Sequence, residues 1–176
     1  MELCLVNYRH ANSVPLKSIM QLPKEEAFAL AKKLYEENPC RAHNRFGPNF
    51  HWYYEHRLRT EQWLHEQFIS LGGKPQTQHP FYFVLHSCDE FRAFYNIGKK
   101  LQITLVDIDR SHVSFTFGDS CKFMDSPDRQ APFLKDQLLA HIALHGDVET
   151  FLRNTKEKYD CIEAQLWVEP RLFMHD

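Results

Sequence analysis

A breaker-rich segment, Gly72-Gly73-Lys74-Pro75-Gln76-Thr77-Gln78-His79-Pro80, runs straight into Phe81-Tyr82-Phe83-Val84-Leu85. Five large apolar residues in succession do not alternate, so neither face of a strand built from them can be left to water. Aromatic and branched side chains behind a Gly/Pro boundary suit a central strand covered on both sides. The rest of the chain must supply the covering layers.

The flanking sequence reads as those layers. Leu3-Cys4-Leu5-Val6 is a short apolar strand that would end near His10. Pro15 with Leu16, Ile19 and Met20 predicts a short helix, and Pro23 opens a second one running to about Glu37 with Ala27, Leu30, Ala31 and Leu34 as its apolar stripe. Residues 40–49 read as a locally positive loop carrying Arg41, His43 and Arg45. A long helix is predicted from Phe50 to about Leu71, because Tyr54, Leu58, Leu64, Phe68 and Leu71 recur at three- and four-residue steps.

Beyond the central strand, Ser87 or Asp89 is placed to cap a helix closed by Gly98. Residues 101–108 and 112–117 are expected to form a hairpin around Asp109-Arg110. Phe133 to Leu144 reads as a helix stopped by Gly146, Asp147 caps a last one, and Cys161 to Val168 alternates as a final strand. The expected class is α+β: one domain over residues 1–176, with a mixed or antiparallel sheet and flanking helices.

Composition narrows the function classes. At 176 residues with 43% hydrophobic and 14% aromatic content, the chain can bury one good core. With 21 basic against 23 acidic residues it has no global field to hold a polyanion. The 5 cysteines are widely spaced without a C-x-x-C pair, and neither a signal peptide nor an 18-residue apolar run is present, so a cytoplasmic protein with no membrane association is expected.

The chain lacks a P-loop, G-x-G-x-x-G, H-E-x-x-H and G-x-S-x-G. His141 and His145 stand four apart on a predicted helix, a spacing that can share a metal, but no third ligand lies near in sequence. No cysteine has an identifiable histidine partner for thiol chemistry. Arg57 and Glu61, also four apart, read as a solvated or partly buried ion pair, with a functional clamp as the sharper alternative.

Four islands remain. His10 is followed by Asn12, Leu16 and Ile19; Pro80-Phe81-Tyr82-Phe83 comes next; then Phe115-Thr116-Phe117-Gly118-Asp119-Ser120; and Glu163 lies on the last strand. In order and spacing these resemble the ADP-ribosyltransferases, and among them the DarT-like toxins that modify DNA bases. Asn12 stands where those toxins favour threonine, and Gly118-Asp119-Ser120 stands in place of their Asp-Gly-Asn.

The resemblance implies an ADP-ribosyltransferase-like fold and NAD as a consumed substrate. His10 would hold the nicotinamide ribose, with Asn12 beside it and Tyr82 in the nicotinamide half of the pocket. Arg41 or Arg45 would neutralise the pyrophosphate. Glu163 would be catalytic, stabilising the oxocarbenium-like centre as nicotinamide leaves. The acceptor would be a nucleic acid or a protein.

The alternative from the residues themselves is a non-catalytic binding or regulatory module. Exposed aromatics among Phe46, Phe50, Trp52, Tyr53 and Trp63 would then form an interface. A metal-dependent hydrolase using His141 and His145 is a third expectation.

Overall fold

The computed structural model describes residues 1–174. In chain order the regular elements are β1 (Cys4–Arg9), α1 (Lys24–Glu37), α2 (Phe50–Ser70), β2 (Phe81–Leu85), α3 (Asp89–Phe94), β3 (Lys99–Thr104), β4 (Val113–Phe117), α4 (Ser120–Phe123), β5 (Phe133–Leu134), α5 (Lys135–Leu144), α6 (Val148–Tyr159) and β6 (Ile162–Leu166). The six strands form one antiparallel sheet in the order β3-β1-β2-β6-β4-β5, flanked by helices. The class is α+β.

The apolar run Phe81–Leu85 is an interior strand, paired with β1 on one side and β6 on the other. Partners directly opposite in an antiparallel ladder share a face, so the register sorts the side chains into two layers. One layer carries Leu5, Phe81, Phe83, Leu85, Phe115, Ile162, Ala164 and Leu166, and it packs against Leu138, Ile142 and Phe151 of α5 and α6 as the main core. The other carries Tyr82 and Val84 with their opposite residues Gln165 and Glu163, and Ser114 and Thr116 with the same two partners. Helix α2 covers this second layer: Phe68 stacks on Trp167 at 5.4 Å and 13°, and Arg57 lies over Tyr82.

That second layer is polar yet buried, and side-chain hydrogen bonds make it tolerable. Trp167 Nε1 donates to Ser114 Oγ (3.0 Å), Ser114 Oγ donates to Gln165 Oε1 (2.9 Å), and Gln165 Nε2 donates to Thr116 Oγ1 (3.0 Å) and Glu163 Oε1 (2.9 Å).

Several sequence expectations are corrected. The predicted 101–117 hairpin does not form: β3 is an edge strand on β1, while β4 lies between β6 and β5. Leu105–Asp107 is a 3-10 turn that buries Leu105 and Ile108 together, and Lys135 Nζ ties it down by donating to the carbonyls of Leu105 (2.8 Å) and Ile108 (2.7 Å). The helix expected after Pro15 shrinks to a 3-10 turn at Ile19–Gln21, and the loop after Cys40 holds another at Arg41–Phe46. Phe133 and Leu134 form β5 rather than the first turn of α5. Cys88, whose side chain makes no cap, precedes α3, whereas Asp147 caps α6 through the Thr150 amide as expected.

Candidate functional site

Beside the buried polar layer, at the end of β1 and β2, α2 and the Arg41–Phe46 turn enclose a cavity of about 170 Å³. Its rings are Tyr8, Tyr53, Tyr82, Tyr95, Phe46, Phe81 and His43, and its cations are Arg9, Lys17, Arg45 and Arg57; no carboxylate is among the described residues that line it. Helical spacing explains part of this: Tyr53 and Arg57 are four apart on α2, so both project toward the same side. Asn7 Nδ2 donates to the Tyr82 carbonyl (2.9 Å), holding β1 and β2 together past their last ladder pair.

The cations are not equivalent. Arg9 is committed to the turn after β1, donating to the Ser13 carbonyl at 2.6 Å. Arg45 is exposed, lies 5.0 Å from the Phe46 ring and 5.7 Å from that of Tyr53, and donates to the Tyr95 hydroxyl at 3.2 Å. Arg57 is nearly buried, and its Nε donates to Glu61 Oε1 at 3.0 Å. The Tyr82 hydroxyl is buried with no hydrogen-bond partner among the described residues, as is Ser13 Oγ. Burial holds the Tyr82 phenol well above the usual tyrosine range, so it stays protonated at neutral pH.

Glu163 lies on β6 one pair deeper than the cavity, opposite Val84 and Thr116. Ser120 Oγ (2.5 Å), Ser120 N–H (3.3 Å) and Gln165 Nε2 (2.9 Å) all donate to its Oε1, leaving Oε2 unclaimed by those donors. Burial, with the charge of Asp119 adding to it, pushes the carboxyl up to about 7, against the opposing pull of Arg57, Ser120 and Gln165. Ser120 reaches it because Asp119 caps α4, accepting from the Cys121 and Lys122 amides. The sequence places only a strand end at 118–120.

The nominated residues are gathered only in part. Tyr82 and Arg45 line the cavity. His10 is not in the lining; its ring lies 5.8 Å from that of the lining residue His43, and its Nδ1 accepts from the Asn12 amide (3.3 Å). The Asn12 side chain is exposed and outside the lining. Counting four residues along and two strands across, the register sets the His10 and Glu163 Cα atoms about 16 Å apart. Neither of the two is among the residues that line the cavity.

Other nominations change character. Phe46 and Phe50 are core residues at 9% and 5% exposure, and of the proposed aromatic interface only Trp52 stands well out, at 66%. His145 Nδ1 lies 3.2 Å from the His141 carbonyl. Among the described residues no group of three His, Cys, Asp or Glu is placed to hold a metal ion. No helix among them is long and apolar enough to cross a membrane.

Sequence reasoning missed His79 and Gln165 altogether, offered Glu61 only in an ion pair or clamp with Arg57, and gave Ser120 no role. The available signal is polar residues at core spacing: Arg57 and Glu61 inside an amphipathic helix, and Glu163 and Gln165 alternating with Ile162, Ala164 and Leu166. No protein-family model, curated protein or solved structure matches this chain.

Proposed function

We propose that this domain is an NAD-consuming transferase of the ADP-ribosyltransferase type, engaging part of NAD in the cavity and passing ADP-ribose to a nucleic-acid or protein acceptor. The observation that carries this reading is the lining itself: tyrosine rings, several cations and no carboxylate, next to a buried glutamate with one oxygen unclaimed. Rings stack on bases, and forked guanidinium donors match phosphate oxygens. The residues also fit the substrate in a second way, because the orphaned hydroxyls of Tyr82 and Ser13 gain partners when a polar ligand enters.

In the reaction the C–N bond between nicotinamide and ribose breaks, nicotinamide leaves with the bonding pair, and positive charge develops on the ribose carbon. Ionised Glu163 would stabilise that charge through Oε2 while Ser120 and Gln165 fix Oε1. It would then take the proton of the attacking acceptor group. His10, next to the lining residue His43, would contact the substrate outside the cavity.

A second reading, a nucleotide-binding regulatory module without catalysis, is favoured by one observation: Glu163 is absent from the residues that line the cavity. Incubation with NAD labelled in the adenosine half, with nucleic-acid and protein acceptors offered separately, separates the two. Label transfer that Glu163→Gln abolishes supports the transferase. Binding of NAD with neither transfer nor nicotinamide release supports the module.

A further inference from the structure

We propose that Arg57 and Tyr82 together anchor a phosphoryl group of the nucleotide, and that Glu61 and His79 are positioning residues that aim Arg57. This rests on the reading above that the cavity takes a nucleotide. It moves the anion contact from Arg41 or Arg45, the residues the resemblance nominates, to a side chain held from two directions, and it moves Tyr82 from the nicotinamide half to the phosphoryl group.

The back of Arg57 is fixed by Glu61, which is 1% exposed. One Glu61 oxygen accepts from Arg57 Nε at 3.0 Å, and the other lies 2.6 Å from His79 Nδ1. The face of the guanidinium is fixed by the Tyr82 ring, 3.6 Å from its carbon to the ring centroid. A guanidinium held by Nε and by its face keeps little freedom, and its Nη groups remain for other partners. The cavity that Arg57 lines is a direction open to them.

Tyr82 supplies the second donor. Its hydroxyl is buried, unpartnered and on a residue of the cavity wall. An ionised phosphoryl oxygen accepts from both a phenol and a guanidinium, and such charge-assisted bonds are shorter and stronger than neutral ones. Arg45 lacks this preparation, being exposed and hydrogen-bonded to Tyr95. Arg9 is turned to its own loop.

Calorimetric titration of the whole protein with ADP, adenosine and inorganic pyrophosphate tests the anchor. The wild type is expected to bind ADP at least about tenfold more tightly than adenosine, since hydrogen bonds to charged groups contribute on that scale. Arg57→Gln and Tyr82→Phe are expected to erase most of that preference while leaving adenosine affinity in place. Glu61→Gln is expected to weaken ADP alone by about tenfold, and Glu61→Asp to restore part of the loss, which a merely structural role would not do.

Should the Glu61 variants fail to fold, Arg57→Lys keeps the question open to test. It retains the cation without the fork and is expected to lose about tenfold toward ADP. Equal affinity for ADP and adenosine in the wild type, no ADP or pyrophosphate binding at millimolar concentration, or an ADP preference untouched by Arg57→Gln would each overturn the anchor. Arg57-dependent ADP binding without NAD turnover sinks the transferase reading and leaves the anchor standing. NAD turnover indifferent to Arg57→Gln does the reverse.

Discussion

The Arg57 guanidinium lies 3.6 Å from the centroid of the Tyr82 ring, joining the helix that covers the polar side of the sheet to the strand at its centre. Glu61 holds the same guanidinium from behind, and the Tyr82 hydroxyl beside it has no partner among the described residues. Two buried polar groups are thus kept at a cavity wall, one ion-paired and one unsatisfied, an arrangement that costs stability unless a ligand uses it.

Tyr82→Phe separates those contributions. Removing an unsatisfied buried hydroxyl is expected to leave the free protein as stable as the wild type or more stable, by up to about 1–3 kcal/mol, because the ring and its cation contact remain. The same change is expected to reduce the stabilisation conferred by added ADP. Urea melts with and without ADP measure both.

Glu61→Ala is expected to be among the most damaging single changes on α2, at about 3–5 kcal/mol, because it strands Arg57 as a buried charge and leaves His79 without its partner. Equilibrium urea unfolding reads the loss. The exposed pair Lys24–Glu55 serves as the control, with Glu55→Ala expected to cost under about 1 kcal/mol.

Glu163 makes stability depend on pH in a definite direction. Its carboxyl is raised in the folded protein to about 7, so the native state retains a proton that the unfolded chain has already released. Its contribution is therefore fully present below the unfolded value near 4.5 and is lost as pH rises toward about 7, a fall on the order of 3 kcal/mol. Glu163→Gln is expected to lack this component of the slope and to exceed the wild type in stability at pH 8. Urea midpoints of both proteins from pH 5 to 8 provide the comparison.

Gln165 tunes that group. Its Nε2 donation favours the ionised Glu163 carboxylate, so Gln165→Leu is expected to raise the carboxyl further and to leave Ser114 and Thr116 short of a partner. On the transferase reading the acid limb of the pH–activity profile moves to higher pH, and a stability loss of about 1–3 kcal/mol is expected alongside it. Rates against pH for the two proteins record the shift.

Features that obey simple spacing rules were legible in the sequence. The central position of Phe81–Leu85 followed from a run with no polar face, and α2 followed from a regular apolar stripe. The hairpin was not legible, because Leu101–Ile108 alternates well enough to pass for one strand although Leu105 and Ile108 belong to a turn closed by Lys135, a residue distant in sequence. Glu163 was singled out through the resemblance alone, and its surroundings were not visible. A polar alternation such as Glu163 and Gln165 reads as a solvent face unless the helix that buries it is known. Arg57 and Glu61 carried a spacing typical of surface pairs, and only the packing of α2 on the sheet makes them a buried pair facing a cavity.

Nicotinamide release from NAD tests the transferase reading most directly, measured at pH 8 for the wild type and for Glu163→Gln after ADP titration has established that both bind nucleotide. We expect release by the wild type and a loss of about a hundredfold or more in the variant at unchanged ADP affinity, the scale of removing an electrostatic stabiliser from a developing cation. No release by the wild type, or equal release by both proteins, would contradict it.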